Sequence, residues 1–563
     1  MSNKGPAAAA TPLHAFYAHE ENHPDQPWLL QPDVAGNVQT LTWAEVGRQA
    51  RAMAGYLLEM GLSDRAHIGL LAKNSAHWFV ADLAIWMAGY ISVPVHPNLD
   101  AEAMAEIIRQ GDVQVLFVGE INEWASISQA LPAGIPRIGL PTASEDGCLR
   151  AWASIVDSAT PVAGSPVPDP QQTATVIFTS GTTGVYKGVM LSFANLAFVG
   201  RNNLRLFNIT ADDRLFSFLS LSHIYERQVM EITSMIAGIR VHFAARGCTF
   251  MRDLKQARPT LLFVVPRILD VLRQGVEKKV SPGVLRTLMR IPFLRHRVAG
   301  RILRRLGMAD VRYLVSGGAP ASIGLIQFFR QLGVGVAEGY GLTENVGYSH
   351  LGRPKRYRPG WVGLPNPGVE CRLSDEGELL VRSPAVMQGY YKNPQKTAAA
   401  LDADGFLHTG DLVEMDHEGF LRVLGRIQDA LVTSESQRVM PVPIELRIQE
   451  HPLIDQACIL GNNLPLPLAL LRLKAPVQDR LINNREQIER ELSGLLEEIN
   501  QSLPRRSRLS CLVVVSDPWR IEQGYLTPTL KLRRSVIEAA YASRLSIWSV
   551  SGRPVVWAGH NNE

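Results

Sequence analysis

The chain has 563 residues, 46% of them apolar, which excludes global disorder, and at about 100–200 residues per domain it should hold roughly three to five domains or subdomains. Its 57 Lys+Arg against 53 Asp+Glu leave a net charge of +4, too balanced for a dedicated nucleic-acid binder. Its five cysteines (Cys148, Cys248, Cys371, Cys458, Cys511) are widely spaced without a C-x-x-C pair, and there is no long apolar run and no secretory h-region, so the expectation is a cytoplasmic enzyme without a disulfide or zinc framework.

Residues 1–11 read as disordered. WAEVGRQARAMAGYLLEM (43–60) spaces its apolar side chains as a helix does. Strand-like runs follow at HIGLLA (67–72), SVPV (92–95) and VQVLFVG (113–119), with a helix over 75–90 between the first two. Strands alternating with helices predict an α/β domain with a largely parallel sheet. The proline-rich segment 161–173 is a loop that feeds the buried strand TATVIFT (173–179).

Directly after that strand comes Thr179-Ser180-Gly181-Thr182-Thr183-Gly184-Val185-Tyr186-Lys187-Gly188. Glycines let the backbone curl around an anion, N–H groups and hydroxyls donate to phosphate oxygens, and Lys187 adds charge. The lysine spacing is not that of a Walker A loop, nor is the run G-x-G-x-x-G. The plain reading is a flexible Gly/Thr turn. A helix is expected beyond it, after the short VML run.

A second α/β stretch spans about 195–350, with strands near LLFVVP (261–266) and VRYLVSG (311–317). Within it, residues 278–309 carry two lysines, seven arginines and no acidic residue. Segment 284–306 reads either as a surface for peripheral contact with an anionic membrane or as a solvated helical hairpin capping a tunnel, broken at Pro292. Over 352–424, Gly, Pro and short alternating runs predict a small antiparallel barrel. From about 430 short strands and an amphipathic helix at 478–503 begin a new unit.

Further motifs follow in order: Leu221-Ser222-His223-Ile224-Tyr225-Glu226-Arg227, Ser316-Gly317-Gly318-Ala319-Pro320, Gly339-Tyr340-Gly341-Leu342-Thr343-Glu344, His408-Thr409-Gly410-Asp411, Gly425-Arg426 and Gly524-Tyr525-Leu526-Thr527-Pro528-Thr529-Leu530-Lys531. With TSGTTGVYKG, this series resembles the adenylate-forming enzymes over nearly the whole chain, and His223 with its neighbours resembles the long-chain acyl-CoA synthetase branch. The resemblance implies an α/β fold. It has a large N-terminal domain (1–424) of two α/β subdomains plus a small β-barrel, a hinge (425–429) at Gln428, and a smaller mobile α+β C-terminal domain (430–563).

The resemblance also implies roles. Thr179, Ser180, Gly181, Thr182, Thr183, Gly184 and Lys187 would hold the phosphates of ATP, and Thr343 would bond phosphate. Tyr340, Gly341 and the turn Gly317, Gly318, Ala319, Pro320 would hold adenine. Asp411 and Arg426 would hold ribose, and Glu344 would hold Mg²⁺. His223 would sit near the substrate carboxylate, and Lys531 would act in adenylation. The implied reaction joins a fatty acid to ATP as acyl-adenylate, then to CoA as thioester.

Where the branch carries a lysine and a double glycine after the hinge, this chain has Val432, Glu435 and Ser436. Glycines there allow φ > 0 and close approach to the pantetheine channel. The substitution keeps two alternatives open: passage of the acyl group to an acyl carrier protein or another nucleophile, and a non-catalytic acyl- or nucleotide-binding protein. A homo-oligomer rests on base rate alone.

Overall fold

Buried apolar runs become the strands of a parallel sheet because helices cover both of its faces. The computed structural model describes residues 11–144, 149–180, 186–353, 356–474, 477, 481–520, 523–527 and 532–558. Of residues 1–11, expected to be disordered, 1–10 lie outside these residues, whereas Thr11 is buried at the start of helix Pro12–Asn22. Strands His67–Leu71 and Ile91–Val95 are buried along their whole length. They lie in an eight-stranded sheet ordered Gly389–Tyr390, Tyr186–Ser192, Thr173–Ser180, Ile91–Val95, His67–Leu71, Val113–Val118, Arg137–Gly139, Arg150–Ala151. Helix Ala76–Met87 packs on it and is buried on every side, its N-terminus capped by Ser75. Helix Trp43–Glu59 starts at a capping box, Thr42 with Glu45, that satisfies two N-terminal N–H groups.

A second sheet joins Leu261–Val264, Tyr313–Ser316 and Val336–Tyr340 in parallel, then His350–Leu351 and Leu364–Pro365 antiparallel. The unit expected as a small barrel is a four-stranded antiparallel sheet, Glu370–Leu373, Glu378–Arg382, Leu407–Met415, Leu421–Arg426. After a single 3₁₀ turn, Ile427–Asp429, the C-terminal unit builds its own four-stranded sheet. Successive residues of its first strand feed opposite cores: Ala457 and Ile459 pack toward helix Leu481–Ser502, Cys458 and Leu460 toward helix Arg534–Ser549. The two units touch through Arg267 Nη1 and Asp455 Oδ1 (3.1 Å) and through the Gly324 N–H and Glu450 Oε1 (3.2 Å).

Two expectations change. The Gly/Thr loop joins two antiparallel strands, with Ser180 opposite Tyr186, and helix Phe193–Leu206 follows the second of them. The basic stretch is indeed two helices, Pro282–Arg290 and Pro292–Leu306, with Pro292 opening the second. Leu285, Ala299, Ile302 and Leu306 turn into a core with Leu254 and Met308, while Val284, Ile291 and Phe293 stay exposed. Among the described residues, none of 278–309 lines the cavity described below.

Burial also sets how stability depends on pH. It pushes Glu226 up to about 8 and Glu338 up to about 7, and pushes His77, His96 and His242 down to about 4 and His350 to about 3. The folded chain keeps protons on the two glutamates that the unfolded chain releases, so their contribution is lost as pH rises toward 7 and 8. The unfolded chain takes protons on the histidines below about 6.5, where the fold refuses them, so stability also falls on the acid side. The four histidines outnumber the two glutamates below that point, and stability should peak near pH 6.5. Denaturation midpoints across pH 5–9 test this; a midpoint still climbing at pH 8.5 contradicts it.

Candidate active site

A cavity of ≈ 480 Å³ is lined by the ends of both sheets, the segment after Leu221, and residues 426–429, a volume within the range of small-molecule sites. One end is built on the Gly/Thr hairpin. Thr179 and Lys187 face each other across it and both line the cavity. The short strand Gly389–Tyr390 pairs with Val189 and Met190, which brings the Tyr390 ring beneath Lys187, with Nζ 5.5 Å from its centroid. The Tyr390 hydroxyl donates to Glu344 Oε1 (2.8 Å). Burial and the Glu344 charge raise the Tyr390 pKa, so that hydroxyl keeps its proton. Cation, ring and carboxylate thus converge at the mouth of the loop. Ser180's side chain and Gly181, Thr182, Thr183 and Gly184 lie outside the described residues.

The second cluster forms where strands Leu407–Met415 and Leu421–Arg426 place Asp411 opposite Arg426. Arg426 Nε meets Asp411 Oδ1 at 3.1 Å, its Nη1 donates to the Thr409 carbonyl at 2.7 Å, and the Tyr340 hydroxyl donates to Asp411 Oδ2 at 2.5 Å. Burial opposes the guanidinium's charge, but Asp411, Tyr340, Glu344 and Asp429 more than offset it, so the Arg426 pKa is raised. Tyr340 and Arg426 line the cavity, whereas Asp411, 4% exposed, stands behind them. Gly341 is required because a Cβ there would fall 2.3 Å from the Gly347 carbonyl carbon.

Tyr225 donates to the Val315 carbonyl (3.1 Å), and its ring lies 3.0 Å from where a Gly317 Cβ would be. Of that turn only Gly318 lines the cavity; Gly317, Ala319 and Pro320 do not. Gly341, Thr343 and Glu344 do line it, as does His223, which caps helix Ile224–Arg227. The flanks of His223 are held firmly: Ser222 Oγ donates to the Val95 carbonyl (3.0 Å), and Glu226 accepts from Ser217 Oγ and the Phe218 N–H, both at 2.9 Å.

The C-terminal unit contributes Gln428, Asp429, Thr527 and Leu532 to the lining. Leu526 bridges to Leu532, and Thr527 and Leu532 both line the cavity. Lys531 itself lies outside the described residues. Arg534, just beyond, is anchored to Glu445 by two bonds of 2.6 and 3.0 Å. The loop containing Glu435 points elsewhere in the contacts it makes: Val432 and Ser434 are tied to residues 462–464 through Asn462 Oδ1 (3.1 Å), the Asn463 N–H (2.9 Å) and the Leu464 carbonyl (2.9 Å). Ser436 sits at φ 59°, the left-handed conformation that a glycine would adopt without strain.

Magnesium binds through one or two carboxylates and nucleotide phosphates, keeping several waters. Glu344, a hard oxygen donor next to the loop and Lys187, fits that requirement.

Residues 16–391 match the AMP-binding enzyme family, and residues 428–546 match the AMP-binding enzyme C-terminal domain. The chain belongs to the AMP-binding enzyme family. Among its relatives, the long-chain-fatty-acid–CoA ligase FadD15 of Mycobacterium bovis is 28% identical over 94% of this chain and 95% of that protein. The putative fatty-acid–CoA ligase fadD11 of Mycobacterium tuberculosis is 30% identical over 69% of this chain and 76% of its own length. In fold, this AMP-binding enzyme resembles the adenylation domain of a carboxylate reductase from Mycobacterium chelonae (TM-score 0.80, 21% identity, 97% and 92% of the two chains). It also resembles a Mycobacterium tuberculosis fatty acyl CoA synthetase (TM-score 0.67, 19% identity, 95% and 99%).

Three site features of this AMP-binding enzyme escaped the sequence reading. Tyr390 reaches Lys187 and Glu344 only through strand pairing about 200 residues distant in sequence. Asn203 and Gln228 line the cavity from two helices. Neither stands out in the sequence, because Asn203 sits among Arg201, Asn202 and Arg205, and Gln228 among Glu226, Arg227 and Glu231.

Proposed function

We propose that this AMP-binding enzyme activates a medium- or long-chain fatty acid with ATP and transfers the acyl group to CoA. The observation that carries this is one cavity joining three parts. They are the Lys187–Tyr390–Glu344 cluster, the Tyr340–Asp411–Arg426 cluster, and an apolar chamber with Leu206, Phe207, Ile224 and Phe263 beside His223. The curated relatives named as fatty-acid–CoA ligases support the same reading.

In the first step a carboxylate oxygen attacks the α-phosphorus of ATP, and the bond to the β,γ-pyrophosphate breaks. Two anions must meet, so catalysis is mostly positioning and charge neutralisation. Lys187 and the loop hydroxyls hold phosphate oxygens. Arg426 and Asp411 hold ribose, and Tyr340 lies against adenine. Glu344, oriented by Tyr390, would hold Mg²⁺, which supplies charge neutralisation at the phosphates. Lys531, whose role rests on the motif over 524–531 alone, would neutralise charge at the reacting phosphate. In the second step the CoA thiol attacks the acyl carbon and AMP leaves. Rotation of the C-terminal unit about Gln428 would withdraw Lys531 and bring in the 432–436 loop.

One observation favours a second acceptor: Val432 stands in place of the branch's lysine, Glu435 and Ser436 stand where its double glycine would open a pantetheine channel, and Val432 and Ser434 are bonded to residues 462–464. Pyrophosphate release from Mg·ATP across acids of graded length, with and without CoA and with mass detection, tests both. Acyl-CoA formed only with CoA is the expected result. Acyl-adenylate with no thioester transfers the proposal to a carrier protein or other nucleophile, and no pyrophosphate with any acid overturns it.

A further inference from the structure

The chamber beside His223 is not uniformly apolar. Asn203, on helix Phe193–Leu206, and Gln228, which opens the π-helix Gln228–Thr233, line it together with Leu206 and Phe207. Asn203 is 2% exposed and Gln228 6%. A π-turn is a widened helical turn, found mostly where a side chain must be re-aimed at a site.

The hydrogen bonds define which polar atoms remain. The Thr233 hydroxyl donates to the Gln228 carbonyl (2.7 Å), so its oxygen accepts from Asn203 Nδ2 (3.0 Å). That fixes the orientation of the Asn203 amide. The same Nδ2 donates to Gln228 Oε1 (2.7 Å), which fixes the Gln228 amide in turn. Asn203 Oδ1 and Gln228 Nε2 are left without a protein partner among the described residues. One acceptor and one donor therefore remain on a hydrogen-bonded amide pair that lines the cavity with the apolar Leu206 and Phe207. Leaving buried polar groups unpaired costs about 1–3 kcal/mol each. An alkyl chain lying there would leave both unpaired. A hydroxyl is donor and acceptor at once and would satisfy both.

We propose that the acyl chamber selects carboxylic acids bearing a hydroxyl on the chain, with Asn203 and Gln228 as the specificity-determining pair. The hydroxyl lies away from the carboxylate, since Gln228 follows His223 by five residues, roughly 7.5 Å of helix rise at 1.5 Å per residue. The inference rests on the fatty-acid activation reading and names its substrate class.

The test is pyrophosphate release by the full chain with acids of equal length, unsubstituted or carrying one hydroxyl at graded positions. At one position or more the hydroxylated acid should exceed its parent in kcat/KM by about tenfold or better, the discrimination expected of a site built to bond a hydroxyl. That ratio should collapse in Asn203→Leu and in Gln228→Met. A purely structural pair would lower the melting temperature of the variants and leave the ratio unmoved, and the ratio is insensitive to the fraction of folded enzyme. Hydroxylated acids no better than their parents at every position, or a preference that survives both substitutions, overturn the inference. Pyrophosphate from no acid at all overturns the activation reading and this inference together.

Discussion

Replacing Asp411 by alanine should lower kcat/KM for ATP by about 10²–10⁴-fold, because each hydrogen bond to a charged group is worth about 1.5–3 kcal/mol and the proposed ribose contact makes two. The effect goes beyond the lost contacts. Asp411 is the common acceptor of Tyr340 and Arg426, so its removal takes a hydrogen bond from the phenol and an ion pair from the guanidinium. Asp411→Asn keeps the volume and one acceptor oxygen and should fall between wild type and alanine. Initial rates of pyrophosphate release against ATP concentration, with circular dichroism as the folding control, measure this. A folded alanine variant within about threefold of wild type, well short of a single such bond, would remove Asp411 from the ribose site.

Arg227→Met should destabilise the N-terminal domain by about 3–5 kcal/mol, the cost of breaking a buried ion pair from one side. The guanidinium is fully buried and bonded to Asp82, to Glu231 Oε2 (2.9 Å), to Thr175 Oγ1 (2.7 Å) and to Ser92 Oγ (3.0 Å). Those partners sit on a core helix, the π-helix and two strands of the large sheet, one of which leads into the Gly/Thr run. Burial and the nearby Asp82 raise the Glu231 pKa, opposed by Arg227; without Arg227 both carboxyls would have to bind protons or stay charged in the core. Adding Asp82→Asn and Glu231→Gln to Arg227→Met should therefore recover part of the loss. Trp78 and Trp86 lie 5.2 and 5.5 Å from the guanidinium and report its surroundings in urea denaturation followed by fluorescence. A single variant as stable as wild type contradicts the argument.

Both sites were visible in the sequence only in part. Tyr340, Glu344, Asp411 and Arg426 belong to short runs whose residue types carry their chemistry locally. The capping box at Thr42 and Glu45, and the break at Pro292, are likewise local. What those residues bond to was not visible. Tyr340 was read as a face for adenine, but its hydroxyl also reaches Asp411, 71 residues on. Arg227 stood in the quoted run beside His223, yet nothing nearby in sequence announces Asp82 or Thr175 as its partners.

The sequence by itself determined the α/β alternation, the order of the motifs, the family and the departure at Val432, Glu435 and Ser436, because each depends on contiguous residues and their spacing. Tertiary structure alone decided that the Gly/Thr run lies between two antiparallel strands, that Tyr390 reaches Lys187 and Glu344, that the basic hairpin does not line the cavity, and that Asn203 and Gln228 line one cavity. Each of these depends on pairing between segments far apart in the chain. Such pairing is set by which buried faces and hydrogen-bonding edges fit together, and no local pattern encodes it.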